Sequence, residues 1–174
     1  MLQNNSHLIT LHNLLDYDVS KFTSAEVHLR NALPEWIDKT GSLMLKTVLH
    51  KYLYFVETHI KKMEGFFEQE DINALSLNNR IMQAFIEETN EKLAICSDPE
   101  IKDACLLASV QTINHYKISI YGTAAAFAGT LDIENHAAIF YEAEGNEKQI
   151  DSRLSQLADF EINKKARTPV ALPG

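Results

Sequence analysis

Residues 103–123 read DACLLASVQTINHYKISIYGT, and this stretch decides the fold. If the stretch is an α-helix, residues spaced by three or four lie on one face. That face carries Leu107, Val110, Asn114, Lys117, Tyr121 and, just beyond the stretch, Ala124. Asn114 and Lys117 are polar on a face that otherwise resembles a core, and burying either without a partner costs on the order of several kcal/mol. We therefore expect a long helix inside a bundle whose other helices supply polar partners at this level.

The composition indicates a single all-α globular domain. The chain has 174 residues, of which 45% are hydrophobic, and this is enough to build a proper core. Its six Gly and four Pro are few and lie near the ends of the predicted helices. No apolar run reaches the length that spans a membrane, and the N-terminus lacks a basic region followed by an apolar stretch. We expect neither a membrane partner nor a signal peptide.

Charge, cysteine content and missing motifs exclude several function classes. The formal net charge is −8 and the one visible basic run is 164–167, so we expect no nucleic-acid partner. Cys96 and Cys105 show no Cys-x-x-Cys pattern and no disulfide framework, which indicates a reducing, cytoplasmic location. The sequence contains no nucleophile–base pair, phosphate loop or dinucleotide fingerprint, so enzyme classes that depend on them have no support.

Four long amphipathic patterns and one shorter pattern predict the order of the helices. The first follows cap-type residues at 4–6 and runs from about residue 6 to Pro34, with a kink or restart there and a last turn through Ile37. The second spans about 42–70 with Ser42 as its cap, the third about 99–127 with Asp98 as its cap, and the fourth follows a cap at Asp132. Residues 71–98 form a crossover with a short helix at about 77–94. Residues 1–160 are thus predicted to form a four-helix bundle, and 161–174 an extended C-terminal tail.

Polar residues on the inward faces suggest a metal site. Glu26, His59 and Glu147 each lie on the core stripe of a different helix, and Asp151 follows Glu147 by four residues at the edge of its stripe. Ferritin-like bundles build di-iron sites from one Glu on each of two helices and a Glu-x-x-His on each of the others. Here the pattern is incomplete, because Val56 stands three residues before His59 where a Glu is required. Ile150 similarly follows Glu147 in place of His.

Several segments resemble the YciF-like stress proteins of the ferritin-like superfamily. They lie at 23–29, 32–34, 59–64, 103–107, 115–123 and 147–154, and the His-Tyr…Tyr-Gly-Thr block at 115–123 is the most specific of them. The resemblance covers about residues 8–158. It implies a four-helix bundle with a crossover, a homodimer and, in some members, a metal site between the helices. The chain departs from the pattern at Asn114 and Lys117, where the family has acids, and at Phe55-Val56, where Glu-Thr is expected.

The residues and the family resemblance together leave three functions open. The favoured one is a non-enzymatic, stress-associated bundle protein with a degenerate di-metal site and no bound cofactor. The second is a protein that still binds iron or another divalent metal through Glu26, His59, Glu147 and Asp151. The third is an active di-iron oxidase or peroxide scavenger.

Two structural expectations accompany these functions. For the dimer, an apolar patch near Trp36, Phe66 and Phe67 is one candidate surface, although these side chains could equally close the bundle. For the site, we hypothesise that the ammonium of Lys117 takes the place of the metal between Glu26 and Glu147. The alternative is that Lys117 extends along the apolar face and reaches solvent.

Overall fold

The computed structural model describes residues 7–69 and 77–167, and these form helices and short connections without a β-strand. The prediction of an all-α, ferritin-like four-helix bundle with a helix-containing crossover is confirmed. The helices are α1 (Leu11–Lys39), α2 (Leu43–Gln69), α3 (Arg80–Ile95), α4 (Pro99–Thr130) and α5 (Glu134–Leu157), followed by a π-helical turn (Ala158–Ile162) and α6 (Asn163–Arg167). Within these residues, no helix combines the length and apolar composition that crossing a membrane requires.

Four of the helices form the bundle, and α3 covers one side of it. Helix α4 packs along α5, α1 along α2, α2 along α5 and α1 along α4, whereas α3 packs against α1 and α4. Trp36, Phe66 and Phe67 are buried inside this arrangement. The alternative that they close the bundle is therefore confirmed, and they do not form an exposed patch.

Hydrogen bonds cap the beginnings of three helices. Ser42 Oγ accepts from Leu45 N at 3.2 Å, as predicted for a cap. Asp98 Oδ1 accepts from the Glu100 and Ile101 amides at the start of α4, which confirms the predicted cap there. Helix α1 begins after Thr10, whose hydroxyl accepts from Asn13 N at 3.0 Å. The predicted cap at residues 4–6 lies outside the described residues.

The predicted last turn of α1 beyond Pro34 is confirmed, and one predicted cap is wrong. Pro34 lies within α1, which continues to Lys39. The proline is exposed, and it removes one hydrogen bond without ending the helix. Asp132 does not cap α5, because it has φ 58 and lies in the turn before it, whereas Ile133 occupies the cap position without a side-chain bond. Aspartate is one of the few side chains that tolerate this left-handed conformation.

The predicted extended tail is wrong for residues 161–167, which are helical. The π-helical turn continues α5 directly, and Ala158 and Ile162 are both buried. Burial of these two side chains keeps the chain packed beyond residue 160, so the predicted boundary is too early. Glu161 adds bonds to Ser42 Oγ at 3.1 Å and to Lys165 Nζ at 2.9 Å. The rest of the predicted tail, 168–174, lies outside the described residues.

Candidate functional site

Five polar side chains meet at one level of the bundle, and they are called the buried cluster below. Helix α1 supplies one of them, α2 one, α4 two and α5 one, so every helix of the bundle contributes. The members are Glu26, His59, Asn114, Lys117 and Glu147. Each is at most 1% exposed. Charged side chains are almost never this buried unless they are paired, so the contacts within the cluster decide what it can do.

Lys117 lies between the two carboxylates. Its Nζ is 2.6 Å from Glu147 Oε1 and 3.2 Å from Glu26 Oε1. The same nitrogen lies 4.5 Å from the centroid of the Tyr52 ring, within the range of a cation–π contact. The lysine side chain is 0% exposed, so the alternative that it reaches solvent is wrong. The hypothesised position of Lys117 is confirmed by these distances.

Asn114 holds Glu147 in its orientation. Its Nδ2 donates to Glu147 Oε2 at 2.7 Å and to the Glu147 backbone oxygen at 3.0 Å. One amide group therefore binds both the side chain and the main chain of a residue on the neighbouring helix. The carboxylate receives Asn114 on one oxygen and Lys117 on the other. An acid at position 114 would place a second negative charge against Glu147, and the asparagine avoids this.

Two tyrosines complete the surroundings, and sequence analysis did not assign them a role. Tyr121 donates its hydroxyl to Glu26 Oε1 at 2.6 Å. Burial, followed by the charge of Glu26, raises the pKa of Tyr121 well above its usual value. Burial, followed by the charge of Glu147, does the same for the pKa of Tyr52. Both phenols therefore remain protonated at neutral pH. The sequence signal for such a role was the position of each tyrosine on a predicted core stripe, because a buried phenol needs a hydrogen-bond acceptor inside the bundle.

His59 closes the cluster on the side of α2. Its Nδ1 lies 3.7 Å from Glu26 Oε1 and 3.6 Å from Glu147 Oε1. Its Nε2 lies 3.3 Å from Asn146 Nδ2, so this ring nitrogen accepts from the amide. In a neutral imidazole with an accepting Nε2, the proton is on Nδ1 and faces the two carboxylates. The ring is held by stacking on Phe55, with 7° between the planes.

The two carboxylates titrate in opposite directions. Burial raises the pKa of Glu26, but the charge of Lys117, the nearby imidazole of His59 and the hydrogen bond from Tyr121 outweigh burial, so its pKa lies below 4.5. Burial raises the pKa of Glu147 above 4.5, and repulsion from Glu26 adds to this rise against the attraction of Lys117. Two carboxylates face a single ammonium, so the cluster carries an excess of negative charge when both are ionised. Protonation of Glu147, whose pKa is raised, removes that excess of negative charge.

A di-metal centre does not fit this arrangement. Ligand atoms of Glu26, His59 and Glu147 lie within 4.8 Å of one another and could in principle hold one ion. The centres of ferritin-like bundles use about six side chains, and within residues 7–69 and 77–167 three such side chains converge. The ammonium of Lys117 is within 3.2 Å of both carboxylates, in the position where a cation would bind. A metal and an ammonium at that distance would repel each other strongly.

Asp151 is not brought together with the other predicted ligands. Its Oδ1 lies 2.8 Å from His115 Nε2 and accepts from Gln111 Nε2 at 3.0 Å, outside the buried cluster. Four residues along α5 correspond to about 6 Å along the helix axis, which separates Asp151 from the level of Glu147. Metal binding by the predicted residues stays a prediction.

The fold and the buried cluster define an all-α, ferritin-like bundle protein with an internal ion-pair network. Residues 10–167 match the family described as Domain of unknown function (DUF892). Protein YciF of Escherichia coli strain K12 is 30% identical over 158 residues, which are 90% of this chain and 95% of YciF. The chain therefore belongs to the YciF-like DUF892 family.

Solved structures show the same fold. The crystal structure of the Escherichia coli stress protein YciF superposes with a TM-score of 0.85 at 28% identity, over 90% of this chain and 99% of that one. YcfI from Rhodopseudomonas palustris gives a TM-score of 0.82 at 22% identity, over 89% of this chain and 98% of that one. The second similarity concerns the fold alone.

Proposed function

We propose that this chain is a non-enzymatic, stress-associated structural protein in which an internal ion-pair network replaces a di-metal centre. The observation that carries the proposal is the ammonium of Lys117, which lies within 3.2 Å of both Glu26 and Glu147. A ferritin-like centre gathers carboxylates around metal ions, and this cluster gathers them around a lysine. The cation is covalently part of the chain, so it has no redox state and no open coordination position.

The network supports the proposal because it joins separate helices at one level. Lys117 on α4 contacts Glu26 on α1 and Glu147 on α5, and Asn114 adds two bonds from α4 to α5. Buried ion pairs contribute little net stability compared with a well-packed apolar core, but breaking one is costly. The cluster therefore fixes which helix faces meet, and a shifted helix register would leave unpaired charges inside the bundle.

The stress association is proposed from kinship with the Escherichia coli stress protein YciF. The cytoplasmic location is proposed from the free thiols of Cys96 and Cys105, which suit a reducing compartment. Quantitative proteomics of the native host before and after osmotic and oxidative shock tests the first part. We expect the abundance of this protein to rise, and unchanged abundance under both shocks would contradict the association.

We also propose a homodimer, formed through a groove between α2 and α5. The groove has a volume of about 560 Å³ and includes the exposed side chains of Met44 and Phe160. These side chains are 58% and 75% exposed, which is unusual for large apolar residues that line one concave surface. Sedimentation should show a dimer that dissociates in Met44→Lys/Phe160→Lys. The matched control is Ile95→Lys, which changes an exposed apolar residue outside this groove and should leave the dimer intact.

Metal content and redox activity test the central proposal. Protein purified without chelator should contain much less than about one divalent ion per chain. With added ferrous iron, it should consume oxygen and hydrogen peroxide no faster than buffer containing the same iron. Stoichiometric bound iron together with iron-dependent peroxide consumption would overturn the proposal, because a lysine-filled cluster cannot turn over.

A second candidate function is the binding of one divalent ion without catalysis. The observation that favours it is the convergence of ligand atoms from Glu26, His59 and Glu147 within 4.8 Å. Binding would require the ammonium of Lys117 to leave its present position. Calorimetric titration with zinc and manganese distinguishes the two functions. A stoichiometric site that disappears in His59→Gln would select the second candidate, and no binding heat would select the first.

A further inference from the structure

Helices α2 and α5 run in opposite directions along the groove between them. Ser42, at the beginning of α2, donates to Glu161 Oε1 at 3.1 Å just beyond the end of α5. Farther along α2, His59 Nδ1 lies 3.6 Å from Glu147 Oε1 of α5. Residue numbers therefore rise along α2 as they fall along α5. A step along one helix has a counterpart of similar length on the other.

The two ends of the groove differ in chemistry. Met44 and Phe160 line the end near the beginning of α2, and both are large apolar side chains exposed to solvent. Lys51 and Arg153 also line the groove, about two helical turns after Met44 and about two turns before Phe160. Because the helices are antiparallel, both steps lead to the same level. The groove is therefore apolar towards one end and basic towards the other.

The two cations of the groove are not neutralised by acids. Within residues 7–69 and 77–167, neither Lys51 nor Arg153 forms an ion pair. The ammonium of Lys51 lies 4.4 Å from the centroid of the Phe55 ring, a cation–π contact that leaves its charge in place. Glu161 lines the groove at the apolar end, but its carboxylate already accepts two hydrogen bonds from the chain itself. A positive groove in a chain of net charge −8 indicates an anionic ligand.

We propose that the groove between α2 and α5 binds the free anion of a medium-chain fatty acid. The carboxylate lies at Arg153 and Lys51, and the alkyl chain extends towards Met44 and Phe160. A guanidinium binds a carboxylate through two parallel hydrogen bonds, and the alkyl chain covers apolar side chains that otherwise contact water. The positions of Lys51 and Met44 are about 10 Å apart along the helix axis, which suits an extended alkyl chain of medium length.

The size of the groove also suits a small amphiphilic ligand. Its volume of about 560 Å³ lies within the range of small-molecule sites, about 300–1,000 Å³. Its exposed lining is predominantly apolar with a few charged groups, which is the usual composition of such sites. An anionic membrane surface is a less suitable partner, because it repels a chain whose net charge is −8.

The fatty-acid site needs only one chain, so it goes beyond the proposed homodimer and does not rest on it. The proposed partner copy would nevertheless cover the same groove. The fatty acid and the second copy should therefore exclude each other, and a ligand that binds only the monomer shifts the equilibrium away from the dimer. Binding would in this way regulate the proposed dimer.

Calorimetric titration of the full-length protein with sodium decanoate, below its micelle concentration, tests the site. We expect one bound decanoate per chain. Decan-1-ol has the same alkyl chain without the charge, and butyrate has the charge on a short chain. Each should bind at least about tenfold more weakly than decanoate, because each lacks one half of the interaction.

Two matched variants test the position of the carboxylate. Arg153→Gln should weaken decanoate binding at least about tenfold, because it removes the charged donor. Lys61→Gln removes an exposed charge of α2 that does not line the groove, and it should leave decanoate binding unchanged. Both native side chains are exposed, so melting temperatures equal to that of the native protein should show that both variants are folded.

Four results would overturn the site. They are no binding of decanoate, equal affinities for decanoate and decan-1-ol, equal affinities of the native and Arg153→Gln proteins, and binding to phosphatidylglycerol vesicles without binding of free decanoate. Sedimentation with and without decanoate examines the dimer separately, and decanoate should convert dimer into monomer. If the chain is a monomer without decanoate, the proposed dimer fails, and the titration alone decides the site.

Discussion

The ammonium nitrogen of Lys117 lies 2.6 Å from Oε1 of Glu147, and neither side chain reaches solvent. The same nitrogen is 3.2 Å from Glu26 Oε1, so a single positive charge separates two buried negative ones. Without it, the carboxylates would repel each other in surroundings that screen charge poorly. The lysine therefore does more than pair with one acid. It is the group that allows both acids to remain inside the bundle.

Replacing Lys117 with methionine should destabilise the protein by about 3–5 kcal/mol. Methionine has a similar length and no charge, so the change removes the cation and leaves a comparable volume. Glu26 and Glu147 would then be buried without their shared partner. Urea denaturation of the native and variant proteins at neutral pH measures the difference.

The rescue variant is Lys117→Met/Glu147→Gln, which also removes one of the two carboxylates. It should recover a large part of the lost stability, because the remaining repulsion disappears. A loss below about 0.5 kcal/mol for Lys117→Met is typical of a surface position and would be incompatible with the buried cluster. A large loss that the second change does not reduce would show that packing, rather than charge, causes the effect.

The two carboxylates should influence stability in opposite ways as pH changes. The folded-state pKa of Glu26 lies below 4.5, so its stabilising contribution is complete above that pH and is lost as the pH falls through the folded pKa. The folded-state pKa of Glu147 lies above 4.5, so the folded state holds its proton more tightly. The contribution of Glu147 is therefore present at low pH and is lost as the pH rises from 4.5 through the folded pKa.

Matched glutamine variants separate these two effects. Glu26→Gln should cost about 1–3 kcal/mol at pH 7, and its cost should shrink at acidic pH. Glu147→Gln resembles the protonated acid, so at pH 7 it should cost much less or stabilise the protein slightly. Urea denaturation at several pH values, for all three proteins, gives the two difference curves. Curves of the same slope for both variants would contradict the opposite pKa shifts.

The sequence was sufficient to predict the helices and the buried charges. Residues on core stripes led to Glu26, His59, Lys117 and Glu147, because a helical period of 3.6 residues places them inward whatever the neighbouring helices are. Their meeting at one level also followed, since a bundle aligns inward positions of all its helices. The same periodicity places Asp151 only at the edge of its stripe, and in the structure it bonds to His115 and Gln111 instead.

The remaining features depend on how the helices are placed relative to one another, and the periodicity of a single helix does not predict this. Tyr121 lies on a core stripe in the sequence, but its bond to Glu26 depends on how α1 and α4 are placed. The helical segment 161–167 is short and mostly polar, so its sequence pattern does not indicate a helix. Burial of Ile162 against the rest of the molecule accounts for its helical structure. Aspartate is a residue type that often caps helices, which is why the sequence predicted a cap at Asp132. In the structure Asp132 instead lies in the turn before α5, in a left-handed conformation.

Asp103 should stabilise the connection between α1 and α2. Its two carboxylate oxygens accept from Gly41 N at 2.9 Å and Ser42 N at 2.8 Å, so α4 holds the beginning of α2. Asp103→Ala should cost about 1–3 kcal/mol, because it leaves two partly buried N–H groups without acceptors. Asp103→Asn keeps one acceptor oxygen and should cost less. Thermal unfolding compares them with the exposed control Glu87→Ala, and equal melting temperatures for all would contradict the prediction.

Restoring acids at positions 114 and 117 should create a metal site. The variant Asn114→Glu/Lys117→Glu removes the internal cation and adds two carboxylates to Glu26, His59 and Glu147. Several buried carboxylates without a cation repel one another, so the apo variant should be less stable than the native protein. A divalent ion such as Mn²⁺ or Fe²⁺ is the partner that carboxylate and imidazole ligands prefer. Isothermal titration calorimetry should show at least about one bound ion per chain, and none for the native protein.

Thermal stability provides the second measurement for this variant. A ligand that binds only the folded state raises the free energy of unfolding, so saturating Mn²⁺ should raise the melting temperature of the variant and leave that of the native protein unchanged. Asn114→Gln/Lys117→Gln is the matched control, because it removes the lysine without supplying acids. Metal stabilisation of the glutamate variant alone would show that the lysine and asparagine are what prevent a metal centre here. Equal stabilisation of native, glutamine and glutamate proteins would instead locate metal binding outside the buried cluster.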